Sequence, residues 1–236
     1  MTMGEKNDSV YRFRALFYKD LCDLPWNGQI LLNQIGGIVF ISVFSFVPSE
    51  EQFISLSFLL ALILSMLTLL MQGSLMVEEY EQGTIRRLKQ AGMSLKELIF
   101  SKMLLTFLTT ACILIIFCFL YGTGIMSSLK LLLLILPILM TILIIGTYIG
   151  MKAKNTVEVS LYSVPISILY FFVEGLLMNS TKEDMPWLAI FPNYHLHYGI
   201  EQIYSNMPFL FYLIIPAIWM SMIILLFVIW CKKKSA

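Results

Sequence analysis

The chain has 236 residues, 58% of them apolar, a mean hydropathy of +0.82 and a formal net charge of only +1. No water-soluble fold of this length tolerates so much apolar surface, and the apolar runs are continuous rather than alternating, which excludes a β-barrel. Runs that meet or approach the roughly 20 apolar residues needed to cross a bilayer cover 30–47, 53–77, 98–121, 129–151, 159–178 and 209–230. The expected fold is an all-α membrane protein of six transmembrane helices in one domain, 1–236, with no room for a soluble domain.

In chain order, MTMGEKND has no apolar h-region, so no cleavable signal peptide is expected. Residues 10–25 place Phe13, Leu16, Phe17, Leu21 and Leu24 at helical spacing, with Arg12, Lys19, Asp20 and Asp23 elsewhere. That pattern predicts an amphipathic elbow helix on the membrane surface, stopped by Pro25 and anchored by Trp26. The first apolar run is unusually polar, with Gln29, Asn33, Gln34, Gly36, Gly37, Ser42 and Ser45. Amides in hydrocarbon must face protein or water, so this helix is expected either to pack against neighbouring helices through them or to line a path or a subunit interface. Pro48 to Glu51 form a tight external turn, and the second run is clean until Gln72, Gly73 and Ser74.

The long polar interval Glu78 to Lys102 follows and carries two helix starts. Thr84 is expected as N-cap of a short helix, 84–91, with Glu78, Glu79 and Glu81 near its positive end. Gly92 suits the left-handed residue after it. Ser94 and Glu97 spell a capping box flanked by a Met93–Leu98 staple, which opens the third span. Lys102 is expected to snorkel to the inner surface.

Gly122 to Lys130 make another brief external turn; the fourth run holds Pro137, Gly146 and Gly150, and the chain returns through Lys152 to Glu158. The fifth run holds Pro165 and Glu174, the one carboxylate within an apolar run, a candidate transport group that Lys182 or water could satisfy. Residues 179–208 are the longest external link. They are rich in Trp187, Phe191, Tyr194, Tyr198 and Tyr204, and are expected as a re-entrant segment of short helices at the outer leaflet. They include a chance-level sequon at Asn179 and a His195/His197 pair that lacks a third metal ligand in sequence. The sixth run contains Pro216 and ends in Trp230 and Lys232, Lys233 and Lys234.

With these spans, 14 basic residues fall on one side and 2, Lys130 and Lys182, on the other. Both termini and the 78–102 interval are therefore expected in the cytoplasm and the chain in the cell membrane. The four cysteines have no CxxC spacing and read as bystanders. Phosphate-loop, GxSxG and HExxH motifs are missing, so neither catalysis nor a resident metal or cofactor is expected. A transport reaction would draw its energy from another subunit. A membrane enzyme using Glu174 and His195, or a passive channel, are the rival readings.

Glu79, Glu81, Gly83, Thr84, Leu88, Ser94, Glu97 and Lys102 resemble the acidic-x-acidic-x-Gly-Thr … Leu … Ser-x-x-Glu … Lys pattern of type-2 ABC exporter permeases, which likewise follows the second of six spans. The elbow helix, the short external turns and FPNYHL before the last span extend the likeness; Gly92-Met93 departs from the proline many members carry before the serine. The resemblance implies a half-sized permease that dimerises, with itself or a homologue, and binds two cytoplasmic ATPase subunits that hold ATP and Mg. Residues 84–91 would be the coupling helix, with Arg86, Arg87 and the acids Glu78, Glu79 and Glu81 making charged contacts. Asn33, Gln34, Gln72 and Tyr162 would lie beside the path, with Glu174 a further candidate. The cargo implied is an amphipathic peptide or hydrophobic drug, as in small exporters of Gram-positive bacteria, and not nucleic acid. Haem-exporter permeases share the layout.

Overall fold

The computed structural model describes residues 3–45, 52–122, 124–179, 182 and 184–235. The 48–51 turn, the end of the first apolar run and Ser180-Thr181 of the sequon lie outside them. All described secondary structure is helical: α1 (Met3–Asp23), α2 (Gly28–Ser45), α3 (Gln52–Leu62), a π segment (Ile63–Thr68), α4 (Leu69–Glu81), α5 (Thr84–Gln90), α6 (Leu95–Leu120), α7 (Ile125–Lys152), α8 (Thr156–Met178), α9 (Pro192–Tyr204) and α10 (Ile214–Ser235). Short 3-10 turns, Pro186–Ile190 and Leu210–Leu213, precede α9 and α10.

Among the described residues, five stretches are long and apolar enough to cross a membrane: Leu56–Glu81, Leu95–Leu120, Ile125–Lys152, Thr156–Met178 and Leu210–Lys233. The first expected span, 30–47, falls on α2, whose apolar part, Ile30–Phe44, is shorter than these. The described part of α2 has 18 residues, about 27 Å at 1.5 Å per residue, and residues 46 and 47 of the expected span lie outside the described residues. The elbow expected over 10–25 is part of a longer helix, α1, that ends shortly before Pro25. The face it turns inward also differs. Leu16 is buried and Leu21 exposed, while Asp20, assigned to the polar side, is only 4% exposed.

The continuous helix α3–π–α4 is the axis around which α6, α7, α8 and α9 pack. Its midpoint departs from α geometry at Ile63–Thr68, where i→i+5 bonding alters the carbonyl pairing. Hydroxyls take up the slack: Thr68 Oγ1 donates to Ile63 O (2.9 Å), and Ser167 of α8 donates across to Ser65 O (2.7 Å). In hydrocarbon no water could do this instead.

The α4–α7 contact is made by small residues. Gly146 and Gly150 stand one turn apart on α7, opposite Gly73, so the two backbones approach closely in the small-xxx-small manner. A Cβ on Gly150 would collide with the Gly73 carbonyl and come 2.5 Å from Met76 Cβ. Beside them Gln72 donates to Thr147 Oγ1 at 2.9 Å. Helix α10 lies along α7, with the Tyr148 and Trp230 rings edge to face at 4.9 Å, and α9 closes the end of the bundle against α3, α7 and α8.

Gly150→Ala must push α4 and α7 apart, and overpacking of this kind costs about 1–3 kcal/mol. We expect a lower unfolding midpoint of the purified protein in detergent. Gly36→Ala, where the new methyl meets nothing within 4 Å, should leave that midpoint unchanged.

Candidate functional site

The short helix α5 hangs between two glycines with left-handed backbone, Gly83 (φ 65°) and Gly92 (φ 79°). Only glycine adopts that conformation without strain, so both ends of α5 turn sharply. None of its residues is buried. Gly83, not Thr84, holds the N-cap position. Thr84 is the first helical residue, and its hydroxyl turns back to donate to the backbone carbonyl (3.1 Å) and to the carboxylate of Glu79. At the far end the capping box forms as the spacing predicts. Ser94 Oγ accepts from Glu97 N at 3.3 Å and Ser94 N donates to Glu97 Oε2 at 2.7 Å.

Beneath α5 lies an ion cluster. Lys102 of α6 does not snorkel: its side chain is buried and its ammonium donates to Asp20 Oδ1 of α1 at 2.8 Å and Glu79 Oε1 of α4 at 2.7 Å. Both carboxylates are buried too. Lys19 adds a half-exposed second cation 3.3 Å from Glu79, and Ser101 Oγ donates to Asp20 at 3.2 Å. The buried lysine thus stands between two buried acids, and Lys19, which also pairs with Asp23 at 3.7 Å, supplies the compensating charge from the edge. A polar recess of about 300 Å³, lined in part by Asp23, Asn27, Glu78 and Gln82, opens beside them.

The three acids before α5 each hold a different element. Glu79 holds α1 and α6 through Lys102. Glu78 accepts two hydrogen bonds, 2.9 and 3.1 Å, from the Asn27 amide at the start of α2. Glu81 accepts from Thr156 N at 3.1 Å and so caps the first turn of α8. An apolar layer backs the ionic one: Leu16 of α1, Ile85 and Leu88 of α5, and Met93, Leu95 and Leu98 at the start of α6 share one cluster. Arg12 pairs loosely with Glu97 at 3.8 Å. Arg86 and Arg87 face outward, exposed.

The residues read as path-lining sit in separate settings. Gln34 donates to the Met71 thioether at 2.9 Å, and Asn33 beside it is half-buried. Gln72 is fully enclosed at the α4–α7 contact, where its Oε1 meets no protein donor. Tyr162 is on an exposed face of α8, with the Lys152 ammonium 5.4 Å from its ring centre. Glu174 is completely buried. Lys182 does not satisfy it; Ser57 Oγ donates to its Oε1 at 2.6 Å, His197 Nδ1 lies 3.2 Å away, and Asn193 Nδ2 donates to Oε2 at 3.3 Å.

Ser57, His197 and Glu174 together do not form a catalytic relay. Serine and carboxylate both meet the same imidazole nitrogen, Nδ1, so no proton path runs through the ring. His195 points elsewhere, its Nε2 2.8 Å from Ala189 O. Burial holds its pKa below the ordinary histidine value, against the opposing pull of that carbonyl, so the ring is neutral at pH 7. The histidine pair therefore does not converge on one ligand.

Asp20, Asn27, Ser57, Thr147 and Asn193 escaped the sequence reading. A signal existed for Asp20, which stands four residues from both Leu16 and Leu24 and so lies in phase with the apolar stripe. Removing one partner of a buried ion pair costs about 3–5 kcal/mol. Lys102→Met should lower the stability of the purified chain by that order. In a double-mutant cycle with Asp20→Asn the two losses should fall well short of additive.

Comparison with curated proteins and with solved structures found no match. The family model for the ABC-2 type transporter matches residues 26–208. That span includes α2, the acid-rich end of α4, α5 and all of α6 to α9, so the chain belongs to the ABC-2 type transporter family, as a multi-pass membrane subunit rather than the catalytic part.

Proposed function

We propose that this chain is the permease of an ATP-driven exporter. Two copies, or one copy and a homologue, form the path, and each binds a cytoplasmic ABC ATPase that carries ATP and Mg. In this reading α2 is the sixth crossing. Helix α1 is the elbow on the inner leaflet, α5 is the coupling helix, and both termini are cytoplasmic. Family membership supports an ATPase partner.

One observation carries the coupling role. Helix α5 has no buried residue of its own, yet both its ends are fastened to the ion cluster and apolar layer beneath. A partner pressing on its exposed side moves Thr84 and hence Glu79, and moves Ile85 and Leu88 against Leu16 and Leu98. Because Glu78, Glu79 and Glu81 grip α2, α1 with α6, and α8 respectively, a single displacement reaches four elements. The acids transmit force through their own chain, and Arg86 and Arg87 make the outward contacts. ATP-driven closure then biases a two-state bundle toward release.

For the path, Asn33, Gln34 and Tyr162 on α2 and α8 are the residues that can face a second copy; Gln72 and Glu174 support it from within. The apolar outer faces of these helices, such as Leu32, Ile35, Ile168 and Phe172, suit an amphipathic or hydrophobic cargo. The inward-turned His195 and His197 give no ground for haem as cargo.

The test is reversal of the two exposed charges, Arg86→Glu with Arg87→Glu, in the chain co-expressed with its ATPase. Co-purification of the ATPase should fall at least about tenfold, a loss of about 1.4 kcal/mol in binding, and ATP-dependent export should stop. The unfolding midpoint of the permease should stay within about 0.5 kcal/mol, the usual range for surface changes. Unaltered assembly and export would remove the coupling role.

A further inference from the structure

At the end of the bundle opposite α5, an ammonium group already sits in an aromatic enclosure. Lys182 Nζ lies 4.5 Å from the ring centre of Tyr198 and 6.0 Å from that of Tyr212, and pairs with Glu201 at 3.5 Å. Tyr194 packs on Tyr198 with ring centres 4.6 Å apart, and His195 lies 5.9 Å from Tyr212. Asp184 adds a second negative charge near Tyr198. The walls come from α9 and from the turn before α10, both packed into the bundle, whereas Lys182 reaches in from the 179–185 link.

The composition of this enclosure is that of a cation receptor: two tyrosine faces and a carboxylate around one positive head. Its occupant remains reachable from solvent. The Lys182–Glu201 pair is about two-fifths exposed on both sides, and exposed pairs of this kind contribute little. Desolvation works against the Lys182 ammonium, but Glu201 and Tyr212 outweigh it and hold its pKa above the ordinary lysine value, so the head stays charged. Tyr198 and Tyr212 pack into an apolar cluster with Val173, Leu177 and Leu188, whereas the Lys182 side chain stays partly open to solvent.

We propose that Tyr198, Tyr212 and Glu201 form a binding site for the ammonium head of an exogenous ligand, and that Lys182 is its tethered, displaceable occupant. The ligand class is a primary or quaternary amine, supplied either by a lipid headgroup or by a soluble cationic amphiphile. The site stands on its own geometry and does not depend on ATPase coupling.

The test uses the full chain in nanodiscs of phosphatidylglycerol, which carries no ammonium, titrated calorimetrically with tetramethylammonium and then with dodecyltrimethylammonium below its micellar concentration. Lys182→Ala should bind tetramethylammonium about tenfold or more tighter than the unaltered chain, a gain of about 1.4 kcal/mol. Adding Tyr198→Leu to Lys182→Ala should abolish that gain, and Tyr198→Phe, which keeps the π face and the packing, should preserve it. Equal affinity with and without Lys182, or binding that survives Tyr198→Leu, overturns the proposal. Lipid retained on purification from mixed bilayers separates the sources. Enrichment of phosphatidylethanolamine in Lys182→Ala identifies a lipid head, and tighter dodecyltrimethylammonium binding without enrichment identifies a soluble amphiphile.

Discussion

A lysine held between two carboxylates in the interior of a membrane protein cannot be surrendered cheaply, and most of the architecture at one end of this bundle follows from it. Lys102 sits three residues from both Ile99 and Leu105 in an apolar helix, where its charge would be costly alone. Asp20 and Glu79 meet it from two other elements at 2.8 and 2.7 Å. Those bonds fix where α1 crosses α6 and where α4 ends. With the ends of α4 and α6 held, the chain between them can only be a tight excursion, and α5 bracketed by Gly83 and Gly92 is that excursion. An ion triad is weak evidence of stability compared with a packed apolar core, but it is directional and has a defined geometry.

The opposite end uses the same physics for a different purpose. Glu174, buried without a lysine, is met by Ser57 of α3 and by Asn193 and His197 of α9, and this ties α9 across the mouth of the bundle. Between the two ends the helices are held by contact rather than charge: glycines where α4 meets α7, and hydroxyls where the π segment meets α8. Polar atoms are thus present throughout the bundle, some matched by one from a neighbouring helix and others by a carbonyl of their own helix.

Much of this is legible in the chain. Continuous apolar runs announce the spanning helices, and the Ser94–Glu97 box and Gly92 mark their junction by rules that act within a few residues. The aromatic 179–208 link carries too much apolar surface for a free loop, and it folds into a 3-10 turn and α9. What stays hidden depends on partners far apart in sequence. Asp20 looks like an ordinary surface acid until Lys102, 82 residues away, is placed beside it. Sequence proximity pairs Glu174 with Lys182, yet Ser57, 117 residues distant, is what reaches it. Spacing makes Thr84 a cap, but the left-handed turn falls on Gly83, which takes that position, while Thr84 is already helical and donates its hydroxyl back to Glu79.

The π segment at Ile63–Thr68 has one more consequence, which concerns azimuth. An α-helix advances about 100° per residue, so one residue accommodated in a wider turn rotates everything downstream by roughly that angle relative to an unbroken helix. Gln72 and Gly73 face α7, and Glu79 faces Lys102, only because of this phase offset. A change that tightened the wide turn back to ordinary pitch would swing the acid-rich end of α4 like a crank, while leaving the half above it still. The middle of the helix thus sets the aim of a joint several turns away.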